Sequence, residues 1–116
     1  MADSDAFLQN VPRVITGYLD ARREGDLEAA LRGFALDATV VDEGMTHEGM
    51  DRIRSWMSRS ATEYTYTVEP VALVRANDDE YDVLQHLEGN FPGGQVDLHF
   101  RFTLRDGSIA SLVIEP

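Results

Sequence analysis

The sequence predicts an α+β domain, with three N-terminal helices packed on one face of a curved, mainly antiparallel sheet. Three observations carry this. Up to about residue 57 apolar residues recur at three- and four-residue steps, the period of a helix. From Tyr64 onward they alternate, the period of a strand. One short strand, at about 38–43, interrupts the helical half.

Phe7, Leu8, Val11, Val14, Ile15, Tyr18 and Leu19 form one apolar stripe, the first helix. Pro12 either opens this helix or kinks it. Gly25 ends it, and Asp26 is placed to cap a second helix with Leu27, Ala30, Leu31 and Phe34 on its inner face. In the strand "DATVVDEG" Val40 and Asp42 point the same way, so a carboxylate shares a face with a core-seeking valine. "HEGMDRIRSWMSRSA" carries Met50, Ile53, Trp56 and Met57 at helical spacing, a third helix. Four strands follow, at about 64–75, 80–89, 95–105 and 108–115. Pro70 marks a bulge or an edge in the first of them. "RDGS" is a two-residue hairpin turn, and "NFPGGQ" makes the connection before it. A four-residue loop there sets Gln85 opposite Phe100 and His86 opposite His99.

The chain has 116 residues, enough for one domain spanning 1–116 with a core of its own. It has no cysteine, so disulfides, thiolate metal sites and cysteine nucleophiles are excluded. Its formal net charge is −11, which repels a phosphate backbone or an anionic membrane, so neither nucleic acid nor membrane is an expected partner. No basic start with an apolar run and no apolar stretch of about 20 residues is evident, so a soluble, cytoplasmic protein is expected. The ten basic residues are all arginine, which removes a Schiff-base lysine. "FPGGQ" precedes no helix, and no serine stands in a nucleophile elbow.

The run "YLDARREGDLEAALRGFALDATVVDEG", then "HEGMDRIRSWM", then "GNFPGGQVDLHFRFTLRDGSIASLVIEP", resembles the nuclear-transport-factor-2-like superfamily in its SnoaL-like branch. The resemblance covers about residues 10–116. It implies a conical α+β barrel closed by three helices around a deep pocket, and dimers formed through the outer sheet face. Members include ketosteroid isomerases, polyketide cyclases, epoxide hydrolases and non-catalytic binding domains, so the fold does not fix the function. Against ketosteroid isomerase, Tyr18 falls where that family keeps its oxyanion-hole tyrosine and Asp42 where it keeps its catalytic base. The second oxyanion-hole acid of that family is matched by Phe100, which cannot donate a hydrogen bond. This departure argues against steroid isomerisation by the same apparatus.

Asp42 is thus a base or ligand-orienting group, a structural acceptor, or a rim residue. Tyr18 is a pocket donor or a core tyrosine with a polar partner. Gln85 lies in the inner row Tyr81, Val83, Gln85, Leu87, and its amide needs a partner from the protein or from a ligand. His47 is an acid–base group or a capping residue. Phe34, Val40, Trp56, Tyr66, Val83, Phe91, Leu98, Phe100, Phe102, Leu112 and Ile114 are expected ligand-contacting or wall residues, which set ligand size. His86 and His99, with Glu88 nearby, form either a zinc site or a polar patch buried in a homodimer; the patch is the reading adopted, with no metal and no cofactor. Two functions remain. One is a cofactor-independent pocket protein, isomerase- or cyclase-like, for a small, mostly apolar molecule. The other is a non-catalytic ligand-binding or dimerisation domain.

Overall fold

The computed structural model describes residues 11–116. Phe7 and Leu8, assigned above to the first helix, lie outside the described residues. Helix α1 is Arg13–Glu24. Pro12 stands at its N-cap with ψ 143°, and its carbonyl accepts from the N–H groups of Ile15 and Thr16. The proline therefore opens the helix and does not kink it, because at this end its missing N–H leaves no helical bond unmade. Gly25 ends α1 at φ 76°, a left-handed angle that glycine adopts without strain. Asp26 caps α2 (Leu27–Arg32) as expected, accepting from the Ala29 N–H at 3.1 Å.

Strand β1 (Phe34–Asp42) starts earlier than the sequence reading had it. Phe34 belongs to this strand and not to the second helix. It follows Leu31 at a spacing that fits either element, and Gly33 ends the helix between them. A second difference is β2 (Met45–Glu48), which pairs antiparallel with β1 across a tight turn at Glu43 and Gly44. Both turn residues have positive φ, 54° and 74°, as a two-residue hairpin of this hand requires. His47 therefore sits on a strand, opposite Val40, and helix α3 begins later, at Met50 (Met50–Glu63).

The remaining strands are β3 (Tyr66–Arg75), β4 (Glu80–Gly89), β5 (Gln95–Arg105) and β6 (Ser108–Glu115). One six-stranded sheet results, in the order β2-β1-β6-β5-β4-β3. Only the β1–β6 pairing is parallel. The sheet is mixed and curved but does not close, which corrects the barrel expected from the resemblance: β2 and β3 are its two free edges. Pro70 lies on edge strand β3, and the register slips between Pro70 and Ala72, so the residue marks both a bulge and an edge.

The β4–β5 register differs by two residues from the one read in the sequence. Val83 faces Phe100, Gln85 faces Leu98, and His86 faces Asp97, while His99 faces Leu84. A shift of two preserves which side chains share a face and changes only their partners. The inner face and the helices bury Ile15, Leu19, Leu31, Phe34, Val40, Ile53, Met57, Val83, Phe102 and Leu112. No described helix is long and apolar enough to cross a membrane.

Candidate functional site

Helices α1 and α3 each present two residues one turn apart, Tyr18 with Arg22 and Trp56 with Ser60. Residues at this spacing share a helix face. The two pairs interlock. Arg22 donates to Ser60 Oγ at 2.9 Å and to Tyr18 Oη at 3.4 Å. Its guanidinium carbon lies 5.1 Å from the centre of the Trp56 ring, a cation–π distance. Ser60 in turn donates to the Met57 carbonyl at 3.1 Å. On the indole's N–H edge, Trp56 Nε1 donates to Asp42 Oδ2 at 3.0 Å. Asp42 is the last residue of β1, and its carboxylate shares the inward phase of the fully buried Val40, as the strand pattern requires.

These groups enclose a cavity of about 100 Å³ under the inner face of the sheet. Leu19 and Val68 line it, and so do Tyr66, Leu87, Leu98, Phe100 and Ile114. Its polar wall is Tyr18, Arg22, Asp42, Ser60 and Gln85. Gln85 is only 4% exposed. Among the described residues its amide has no hydrogen-bond partner, and no fully occluded side-chain nitrogen or oxygen lacks one, so the amide faces the open space of the cavity. A cavity of about 150 Å³ is known to accept benzene, and drug-sized ligands need roughly 300 Å³ or more. This one therefore fits a fragment of about one small ring. A wider groove of about 690 Å³ shares Asp42, Ser60, Tyr66, Leu87, Leu98 and Ile114 with it and forms its mouth.

Burial raises the pKa of Tyr18 above its ordinary value, and the nearby Arg22 cation offsets this only in part. The hydroxyl is therefore protonated at neutral pH. Because Tyr18 Oη accepts from Arg22, its own proton is available to something else.

Of the wall residues expected from the sequence, Trp56, Tyr66, Leu98, Phe100 and Ile114 line the cavity together with Tyr18, Asp42 and Gln85. Five others do not. Phe34, Val40, Val83, Phe102 and Leu112 lie in the closed core beside it, where Phe34 and Phe102 pack edge-on against the Tyr18 ring at 5.5 and 5.7 Å. They had the right face of their elements but the wrong depth. Phe91 lies at the mouth, edge-on to Tyr64. His47 stays outside the cavity, stacked on Trp56 with ring centres 6.0 Å apart. Arg22 and Ser60 are the residues the sequence reading missed. Arg22 sits in the last turn of α1, where a cation is ordinary; its step of four from Tyr18 was the available signal.

On the outer face His86 and His99 are not cross-strand partners. His86 lies between Asp97 at 2.6 Å and Glu88 at 2.8 Å, and His99 faces Asp82 at 3.0 Å. Among the described residues no group of three or more histidines and carboxylates is arranged to hold a metal ion.

The sequence profile of the SnoaL-like domain matches residues 15–112. The chain belongs to this family. A protein from Sinorhizobium meliloti, provisionally named a polyketide cyclase, has a crystal structure that superposes with a TM-score of 0.87 at 34% identity, covering 92% of this chain and 97% of that one. The SnoaL-like fold is also shared with an epoxide hydrolase/cyclase-like enzyme of pyran-ring formation in the polyether salinomycin (TM-score 0.76, 24% identity, covering 89% of this chain and 87% of that one). A Δ5-3-ketosteroid isomerase from Mycobacterium sp. superposes similarly (TM-score 0.74, 19% identity, 90% of each chain). No curated protein matches the chain. Family and fold together support a small-molecule pocket protein.

Proposed function

We propose that this SnoaL-like chain moves a proton in a small, mostly apolar molecule, without a cofactor, as an isomerase or cyclase does. The observation that carries this reading is that Asp42 and Tyr18 line one cavity of single-ring size. Asp42 is the base or orienting carboxylate. One of its oxygens accepts from the Trp56 indole, which fixes the group, and the other is left to take a proton. Tyr18 donates its proton to the substrate oxygen on which charge develops. Phe100, Leu98, Tyr66 and Ile114 hold the apolar body and keep water out.

The test is deuterium exchange at the carbon beside the carbonyl of cyclopentanone, followed by NMR. A positioned general base contributes about 10²–10⁴-fold, so Asp42→Asn should lower the exchange rate by that order. Its amide oxygen still accepts from Trp56, so the fold should persist. A wild-type rate no faster than buffer, or a rate indifferent to Asp42→Asn, overturns the assignment.

The second reading, a non-catalytic dimerisation domain, is favoured by the outer face alone, where Leu84, His86, His99 and Arg101 gather on adjacent strands. A homodimer through that face is compatible with either function. Light scattering that finds only monomer at micromolar concentration removes it.

A further inference from the structure

Arg22 differs from the other paired arginines of the chain. Arg23, Arg54, Arg75, Arg101 and Arg105 each hold an aspartate or glutamate, at the surface. Arg22 lines the cavity, and among the described residues it meets no carboxylate within ion-pairing distance. Its partners are two neutral hydroxyls and the face of an indole. Asp42 is held on the N–H edge of the same indole and does not pair with it. A chain with a net charge of −11 thus keeps on the wall of its pocket a cation that, among the described residues, is in no ion pair, although the Asp42 carboxylate lines the same cavity. Arg22 is half-buried, so its guanidinium has lost part of its hydration, and an anion entering the pocket would add a charge-assisted partner on that side.

A second observation points to the same place. The amide of Gln85, more than nine-tenths buried, lines this cavity and has no hydrogen-bond partner among the described residues. The Tyr18 hydroxyl proton is free as well, since Arg22 already occupies the oxygen as acceptor. The cavity therefore offers three donors, one of them charged, on a wall whose remaining polar groups are Asp42, turned to the Trp56 N–H, and Ser60, and which is otherwise apolar.

We propose that the pocket selects small, largely apolar molecules that carry one anionic oxygen, and that Arg22 is the residue that selects them. The inference rests on the pocket reading above and adds to it the charge of the ligand. Ser60 is a positioning residue: it accepts from Arg22 Nη2, while its own proton is engaged by the Met57 carbonyl, so it fixes the guanidinium without neutralising it.

Isobutyrate and isobutyramide have the same shape and differ in charge, and both suit the volume. Trp56 is the single tryptophan of the chain and carries the Arg22 guanidinium on its ring, so its fluorescence reports occupancy. Wild-type protein should bind isobutyrate about tenfold tighter than isobutyramide, or more, the scale of one charge-assisted hydrogen bond. Arg22→Met should lose that preference, and Arg22→Lys, which keeps the charge but not the fork, should keep part of it. Equal binding of the two probes by wild type, or an undiminished preference in a folded Arg22→Met protein, overturns the anion proposal and leaves the pocket reading standing. If neither probe binds wild type, the pocket reading fails and the anion proposal falls with it. Should Arg22→Met not fold, the wild-type comparison and Arg22→Lys still decide.

Discussion

The two faces of the sheet treat charge in opposite ways. On the outer face polar side chains satisfy one another. Asp82 accepts from both His99 and Arg101, Arg101 also reaches Glu115, and His86 lies between Asp97 and Glu88. On the inner face the same strands carry apolar residues and, on β4, the Gln85 amide, which has no hydrogen-bond partner among the described residues. The difference teaches where to look for function. Exposed pairs in water contribute little each and ask for nothing further, whereas a few polar groups in an apolar enclosure are worth more and are directed at whatever enters it.

The comparison breaks first at the closed core beside the cavity. Phe102 is fully buried and packs against Tyr18, so Phe102→Ala should destabilise the fold by about 3–5 kcal/mol, read by denaturant unfolding. A loss below about 1 kcal/mol would mean that this inner face does not hold the fold together. Next is the indole that separates Arg22 from Asp42. Trp56→Phe keeps a ring but removes the N–H that Asp42 accepts from, and should cost about 1–3 kcal/mol, less when combined with Asp42→Asn because the carboxylate that needed the donor is gone. Additive losses in that cycle would uncouple the two residues. On the outer face, Asp82→Asn should change stability by no more than about 1 kcal/mol. A larger loss would make the outer face as consequential as the inner one.

The smallest effect is a titration. Asp97 first and Glu88 second hold the His86 pKa above the ordinary histidine value through hydrogen bonds. The folded chain binds this proton more tightly than the unfolded one, so the stabilisation is complete below about pH 6.5 and is lost as pH rises through the elevated value. An NMR titration of the ring should show the raised midpoint, and Asp97→Asn should lower it. A midpoint unmoved by that change would show that the carboxylate does not hold the proton.

Much of the inner face was legible in the sequence because it depends on phase. Tyr18 follows the helical stripe, Asp42 follows Val40, and Gln85 follows Val83, and each reaches the cavity. Depth was not legible. Phe102 and Leu112 have the same phase as wall residues yet lie in the closed core, because alternation tells which side a residue faces and not how far a helix covers it. Strand β2 was missed because three of its four residues are exposed and show no alternation; only Gly44, after Glu43, announces its turn. The register erred by two because the connection after β4 runs longer than four residues. Gly89 N–H donates to the Gly94 carbonyl, and Gly93 and Gly94 both take positive φ. Arg22 was hidden by the ordinary place of a cation at a helix end.

The single parallel pairing, β1 beside β6, has a consequence for folding. Asp42 is held in line with Ile114, so the strand that delivers the carboxylate has no partner on that side until the last strand has been made. The hairpins β3–β4, β4–β5 and β5–β6 close locally, but the β1–β6 seam must bring together distant stretches of chain and carries the greatest loop-closure entropy of the fold. The place of Asp42 in the cavity therefore depends on the most non-local pairing of the sheet. Until that seam closes, β1 and β6 each keep one unpaired edge, and an unpaired strand edge is a template for pairing with another chain, so the seam that completes the site is also the one whose closure protects the chain from association.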